Sequence, residues 1–493
     1  MIESAVPLLA LVASLAAVPL ILLSGTKPNL REFWTLLAAL IKFCLVLTLL
    51  PNALQGTTTQ ITLLELFPGI PFILKADPLG VYFALIASGL WILTSFYSIG
   101  YMRGAHEKNQ TRYFASFALC LSSTLGIAFA GNLVTFIVFF EMLTLATYPL
   151  VIHKETPAAL AASRQYLVYT LTAGVCLIAA SVITQVTTGS TAFVPGGIYT
   201  PLSLPDPALL LVFVLFLVGI GVKSGIMPLH SWLPSAMAAP TPVSALLHAV
   251  AVVKSGVFGL VRVVGFIFGS ETLAQSHLNI LLMILAGFTV LTASLLAFKQ
   301  ENLKKRLAYS TVGHLSYIVL GASLLSPLGF TGSILHISAH ATMKITLFFC
   351  AGAIYVNLHK ENIPDLNGIA KVMPFTMAAF TLAALGLAGV PPLNGFVSKW
   401  TLAQGALQAD MLVPLFILVI SGLLNIGYFF PIIHRAYFKE GEHLEGKKEA
   451  SAFMVVPLVI TALLSVLLGI FPNHFFHFYD LATAIAKTLI PGN

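Results

Sequence analysis

Six basic side chains lie inside otherwise apolar runs of this 493-residue chain: Lys42, Lys223, Lys254, Arg262, Lys344 and Lys399. Their acidic counterpart is Glu141, in Phe136-Ile-Val-Phe-Phe-Glu-Met-Leu-Thr-Leu145. An ionised lysine in hydrocarbon costs on the order of 2.5–3.5 kcal/mol by insertion scales. Residues at that cost are expected along a path through the protein rather than as packing. Lys223 sits in Gly219-Ile-Gly-Val-Lys-Ser-Gly-Ile-Met-Pro-Leu-His230, where Gly225 and Pro228 interrupt a helical run and His230 closes it. Lys399 ends a second stretch of this kind, Leu387-Ala-Gly-Val-Pro-Pro-Leu-Asn-Gly-Phe-Val-Ser-Lys399. Broken helices belong where backbone lines a polar cavity, and a pair of them in the two halves of one chain is a transport signature. The plainer reading is two lysines snorkelling at helix ends.

The chemistry these groups offer is proton transfer. If Lys223 lies near Glu141, both stay charged and titrate as a coupled pair. A static ion pair pinning two helices is the alternative. His248 and Lys254 are six residues apart and read as points along a path. His336, His340 and Lys344 recur at i, i+4 and i+8, so three titratable groups share one helix face. A His-x-x-x-His pair can also hold a metal. Here no glutamate follows the first histidine and no third ligand stands out, so a hydrated relay is favoured over a zinc site or a satisfied polar core. Lys42 and Arg262 are expected to snorkel. No phosphate loop, nucleophile elbow, redox thiol pair or iron–sulfur spacing appears, and no cofactor is expected. Cys44, Cys120, Cys176 and Cys350 are scattered and read as core thiols.

The elements that position these groups are membrane helices. The chain is 58% apolar and only 9% charged, against about 25% charged in soluble domains. The apolar runs number fourteen. Among them helix four covers about 113–130, helix five 133–152, helix seven 208–229, helix eight 243–268 and helix eleven 329–356. Helix twelve starts near Pro374, breaks at Pro391-Pro392 and resumes to about Leu407. Between helices two and three, Thr57–Leu64 and Pro71–Lys75 predict a short hairpin outside the membrane. The tail around Phe475–Leu481 reads as interfacial. The net charge of +7 does not point to nucleic acid. Of the loop basic residues, 17 fall in odd-numbered loops, while Lys75 and Lys487 alone fall elsewhere. By the positive-inside rule both termini are extracytoplasmic in a multi-pass plasma-membrane protein.

Four stretches carry a family resemblance: Phe139-Phe-Glu141; Lys223-Ser-Gly-Ile-Met-Pro-Leu-His-Ser-Trp-Leu-Pro234; Ala239-Pro-Thr-Pro-Val-Ser-Ala-Leu-Leu-His248; and Gly389-Val-Pro-Pro-Leu-Asn-Gly-Phe396. Together they resemble the antiporter-like proton-channel subunits of respiratory complex I, membrane-bound hydrogenases and Mrp-type cation/proton antiporters. The resemblance covers nearly the whole chain from about Asp77. It implies an all-α fold of fourteen transmembrane helices, with helices four to eight and nine to thirteen as inverted repeats and helices seven and twelve broken. The divisions are then 1–112, 113–268, 269–434 and 435–493. It maps the family's helix-five glutamate onto Glu141, the helix-seven lysine onto Lys223, the helix-eight group onto Lys254 and His248, and the terminal helix-twelve group onto Lys399. Within the family, length and lysine pattern most resemble the D-type subunit of an Mrp-type Na+/H+ antiporter. A complex I or hydrogenase subunit is the alternative.

The expected function is proton translocation in company with other membrane subunits, with protons, Na+ and lipids as partners and no redox chemistry in this chain. Protons are expected to reach Lys223 from the cytoplasmic side. They then pass His248, Lys254, His336, His340 and Lys344 to Lys399. A solitary solute transporter would instead predict a substrate-sized cavity at midplane, and a membrane scaffold would not account for five buried titratable positions.

Overall fold

Most helix starts in this chain are written locally. The computed structural model describes residues 1–441 and 448–490. Proline opens α1 (Val6–Leu23), α2 (Pro28–Leu54, with a short break), α3 (Pro78–Gly104) and α6 (Pro157–Thr188). There its missing N–H would be unsatisfied anyway. Side-chain caps add to this: Asp77 accepts from the Gly80 N–H at 2.8 Å, and Asn132 from the Thr135 N–H at 2.8 Å. Helix α4 covers Gln110–Ala128, α5 Leu133–Val151, α7 Asp206–Ser224, and α8 Thr241–Phe268. Then come α9 (Leu278–Phe298), α10 (Leu303–Ser323), and α11 (Pro327–Leu358). The split helix α12a (Pro374–Ala388) and α12b (Asn394–Gln408) is followed by α13 (Leu412–Phe438), α14 (Ala452–Ile470) and α15 (Phe478–Leu489).

The fold is an all-α multi-pass bundle. Among the described residues, eleven helices are long and apolar enough to cross a membrane. α4, α10 and the two halves of α12 are not among the eleven. The expected hairpin is present as β2 (Thr59–Phe67) antiparallel to β3 (Ile70–Ala76). β1 (Ile2–Glu3), which the sequence pattern did not signal, pairs with β2 in parallel. β3 is tied to the α4–α5 turn, and that turn to the α6–α7 loop: the Lys75 N–H donates to the Phe129 carbonyl, and the Phe193 N–H to the Gly131 carbonyl. The α6–α7 loop in turn bonds the end of α8, Gly196 N–H to Gly265 carbonyl.

The basic loops meet one another instead. Arg31 donates to Gln110 at 2.8 Å, Lys154 faces Glu107 at 3.9 Å, and Lys304 donates to the Ala239 carbonyl at 3.0 Å. Arg306 joins the end of α9 to α13, donating to the Phe298 carbonyl (3.2 Å) and the Tyr428 carbonyl (2.9 Å). The part of the charged loop that holds Lys447, and residues 491–493 of the tail, lie outside the described residues. α15 is amphipathic as expected, and its apolar face, including Phe478, Leu481, Ile485 and Leu489, is buried.

Both snorkelling expectations fail. Lys42 does not snorkel: it is fully buried, bonded to the Ser14 hydroxyl and 4.9 Å from the Trp91 ring centre. Arg262 does not snorkel either. It forms a two-pronged pair with Asp77, with Nη2–Oδ1 at 2.6 Å, and lies over Phe258 and Phe266. In both cases the polar partner comes from another helix or its cap, and local sequence cannot reveal that partner. Cys44 is also exposed rather than a core thiol.

Candidate functional site

The two helix breaks are built alike. α7 stops at Ser224 because Gly225 turns left-handed (φ 68°), a conformation that favours glycine. The indole of Trp232 then folds back to donate to the Val222 carbonyl at 2.8 Å, which also accepts from the Gly225 N–H at 3.2 Å. α12a stops at Gly389 (φ 94°), and α12b restarts beyond Pro391-Pro392. Lys399 reaches back across this break to the free carbonyls of Leu387 (2.6 Å) and Ala388 (3.3 Å). A cation at a helix C-terminus is favoured by the helix dipole. A side chain at 389 would crowd the lysine, since a Cβ there would stand 3.0 Å from Lys399 Cδ.

Lys223 is buried and donates to the Phe140 carbonyl at 2.5 Å, with its ammonium 3.5 Å from the centre of the Phe140 ring. No ion pair joins it to Glu141 among the described residues, although Glu141 is the next residue on α5. Neither carboxylate oxygen of Glu141 has a hydrogen-bond partner. The carboxylate rests against α6, where a Cβ on Gly174 would lie 2.7 Å from Oε1. α8 packs tightly on the end of α7, because a Cβ on Gly256 would lie 2.4 Å from the Ser224 nitrogen.

α8 itself departs from the continuous helix expected. Leu246–Val250 forms a π turn around His248, a feature that recurs at functional sites. Both ring nitrogens of His248 lack a protein partner, and its ring lies 4.8 Å from that of Phe348. His230 is half-buried beside Tyr309 with Nδ1 unpartnered, and no hydrogen bond joins it to the other candidates among the described residues.

The remaining candidates are brought together. Lys254 Nζ lies 2.8 Å from His340 Nδ1. His340 stacks on His314 of α10, with ring centres 5.5 Å apart. His314 Nδ1 meets His336 Nε2 at 3.2 Å, and His336 Nδ1 meets the Ser398 hydroxyl at 2.9 Å. Lys344 starts a second branch, donating to the Ser310 hydroxyl at 2.8 Å. Ser310 meets the Tyr428 hydroxyl at 2.8 Å, and Tyr428 donates to Asn425 Oδ1 at 2.5 Å. Lys254, His314, His336, His340 and Lys344 are all buried.

Sequence reasoning missed His314, Ser310, Asn425 and Tyr428. The signal for His314 was present: Thr311-Val-Gly-His314 puts a lone imidazole in an apolar run directly after the most basic loop. A cleft of about 510 Å³ opens at the basic end, lined by Lys154, Gln165, Ser235, Lys304, Lys305 and Glu361. This arrangement can pass protons between neighbouring side chains, with water needed wherever a nitrogen lacks a partner.

The sequence profile of the family described as NADH:quinone oxidoreductase/Mrp antiporter, TM matches residues 130–425. A curated relative, NADH-quinone oxidoreductase subunit N of Desulforudis audaxviator (strain MP104C), is 34% identical over 408 residues, which is 78% of this chain and 81% of that one. A probable K(+)/H(+) antiporter subunit of Rhizobium meliloti (strain 1021) is 34% identical over 416 residues, covering 82% of this chain. That match spans only 40% of the Rhizobium protein. A chain in the archaeal membrane-bound sulfane sulfur reductase shares the fold, with a TM-score of 0.86, 22% identity and 99% of both chains covered.

Proposed function

Because the chain belongs to the NADH:quinone oxidoreductase/Mrp antiporter transmembrane family, we propose that it conducts protons laterally through the membrane as one subunit of a multisubunit complex. The observation that carries this is the run Lys254–His340–His314–His336–Ser398, which ends beside Lys399 at the α12 break. Each imidazole can take a proton on one nitrogen and give one from the other, while Lys254 and Ser398 take and give at a single atom. In this reading protons collect in the basic cleft at the cytoplasmic end and load Lys223. They cross to Lys254 by water held near His248, then follow the histidines to Lys399. Glu141 acts as the switch. When its carboxylate swings from Gly174 toward Lys223, it competes with the Phe140 carbonyl and holds the proton on the lysine. His230 serves the uptake side and Lys344 the second branch.

The same reading includes fourteen crossings, α1 to α14 with α12 counted once. It takes α4–α8 and α9–α13 as the inverted repeats, and places both termini on the extracytoplasmic side of the plasma membrane. Lys399 is only half-buried and Pro391 and Pro392 are exposed, so the route ends at a surface that another membrane subunit would cover. The finer assignment is the D-type subunit of an Mrp-type Na+/H+ antiporter, on the lysine pattern and length. A second reading, a proton-pumping subunit of a quinone-reducing or hydrogenase complex, is favoured by the match to a subunit N over 78% of this chain and 81% of that one. Everted vesicles carrying the whole complex separate the two readings. Addition of Na+ should collapse an imposed pH gradient if the partner complex is an antiporter. Acidification on adding NADH or hydrogen, with no response to Na+, would replace the first reading with the second.

A further inference from the structure

The amide of Asn425, on α13, has a single orientation open to it. Its Nδ2 lies 3.3 Å from the Leu387 carbonyl, and a carbonyl only accepts. Its Oδ1 lies 2.5 Å from the Tyr428 hydroxyl, which supplies the matching hydrogen. Amide orientation is settled by such partners, and here both agree. The NH2 therefore also faces His314 Nε2, 3.3 Å away. That nitrogen must be the bare acceptor, so a neutral His314 carries its hydrogen on Nδ1.

The consequence runs down the chain. His314 Nδ1–H donates to His336 Nε2, so a neutral His336 carries its hydrogen on Nδ1 and donates to Ser398. The Ser398 hydroxyl then donates to the Gly395 carbonyl at 3.1 Å. On the other branch, Tyr428 has one hydrogen. That one hydrogen lies between Asn425 Oδ1 and Ser310 Oγ, which also accepts from Lys344. Along the histidine branch every bond has the same sense, and both branches meet at Asn425.

Resting on the proton-conducting reading above, we propose that Asn425 is the positioning residue that sets the polarity of this chain and restores it after each passage. A proton arriving at His314 binds Nε2, and the Nδ1–H bond breaks. The released proton binds His336 Nε2, whose Nδ1 proton leaves toward Ser398. Both rings are then left in the opposite tautomer, and His314 presents an N–H to an amide NH2. Return to the form with a bare Nε2 takes the Nε2 proton off to a water and delivers another from water to Nδ1, and the clash with the amide favours that return. Asn425 also shares the Leu387 carbonyl with Lys399, so the charge state of Lys399 bears directly on the amide that resets the histidines.

The test is 15N solid-state NMR of the assembled complex labelled at histidine, with His314 assigned by difference against His314→Gln. The wild type should show His314 protonated at Nδ1 and bare at Nε2. In Asn425→Asp the new carboxylate accepts from Nε2–H, so the bare-nitrogen resonance should move from Nε2 to Nδ1. In Asn425→Leu both forms should appear, with proton flux lost. An Nε2–H on wild-type His314, or the same tautomer in Asn425→Asp, would overturn the proposal. The wild-type spectrum alone can overturn it, so a variant that fails to assemble does not shelter it. Failure of the proton-conducting reading is seen separately, as flux that His336→Gln leaves unchanged.

Discussion

His153, in the loop between α5 and α6, shows how one side chain gives the basic end an acid limit. It is buried beneath Tyr113 with neither ring nitrogen partnered. Burial, with the Arg112 guanidinium beside it, pushes its pKa down from 6.5 to about 4. The unfolded chain therefore takes up this proton before the folded one does. The resulting stability is fully present above pH 6.5 and is lost as pH falls toward 4. The melting temperature in detergent should drop between pH 7 and pH 5, and His153→Leu should shrink that drop. An identical drop in the variant would place the acid sensitivity elsewhere. Lys42 makes a different point at this scale. Its Ser14 and Trp91 partners lie on α1 and α3, so a snorkelling rule applied to α2 alone had nothing to see.

Single elements here are held by contacts that cross from one helix to another. The Asp77–Arg262 pair ties the start of α3 to the end of α8, the helix that carries Lys254. Removing one member of a buried pair leaves an unpaired charge, at a cost of about 3–5 kcal/mol. Arg262→Met should therefore lower the melting temperature sharply, and Asp77→Asn added to it should restore part of the loss. A double variant no better than the single would show that the guanidinium acts through its aromatic neighbours instead. Gly256→Val should separate α8 from the end of α7, and elution as an aggregate or as an unchanged monodisperse peak decides this. Both breaks were legible because proline and left-handed glycines are local signals. The π turn at His248 and the His314–His336 contact were not, because they arise from packing between distant segments. The expected Glu141–Lys223 contact was a reasonable pairing of opposite charges, but the Phe140 carbonyl is the closer partner for the lysine.

On the scale of the whole molecule, two features set the account: basic loops gathered at one end, and a buried polar seam across the middle. The orientation is checked with Glu301→Cys and Leu202→Cys, both at exposed positions, in a background lacking the native cysteines. An impermeant thiol reagent should reach position 202 from outside intact cells and position 301 only after the membrane is opened. Labelling of both from outside would contradict the orientation. The central claim is that one lateral route joins Lys254 to Lys399. Its most direct test is proton flux against a sodium gradient, or against substrate oxidation, in proteoliposomes holding the assembled complex with Lys254→Ala or Lys399→Ala. The account predicts that each substitution alone abolishes flux while the complex still assembles, and flux that survives in either variant would contradict it.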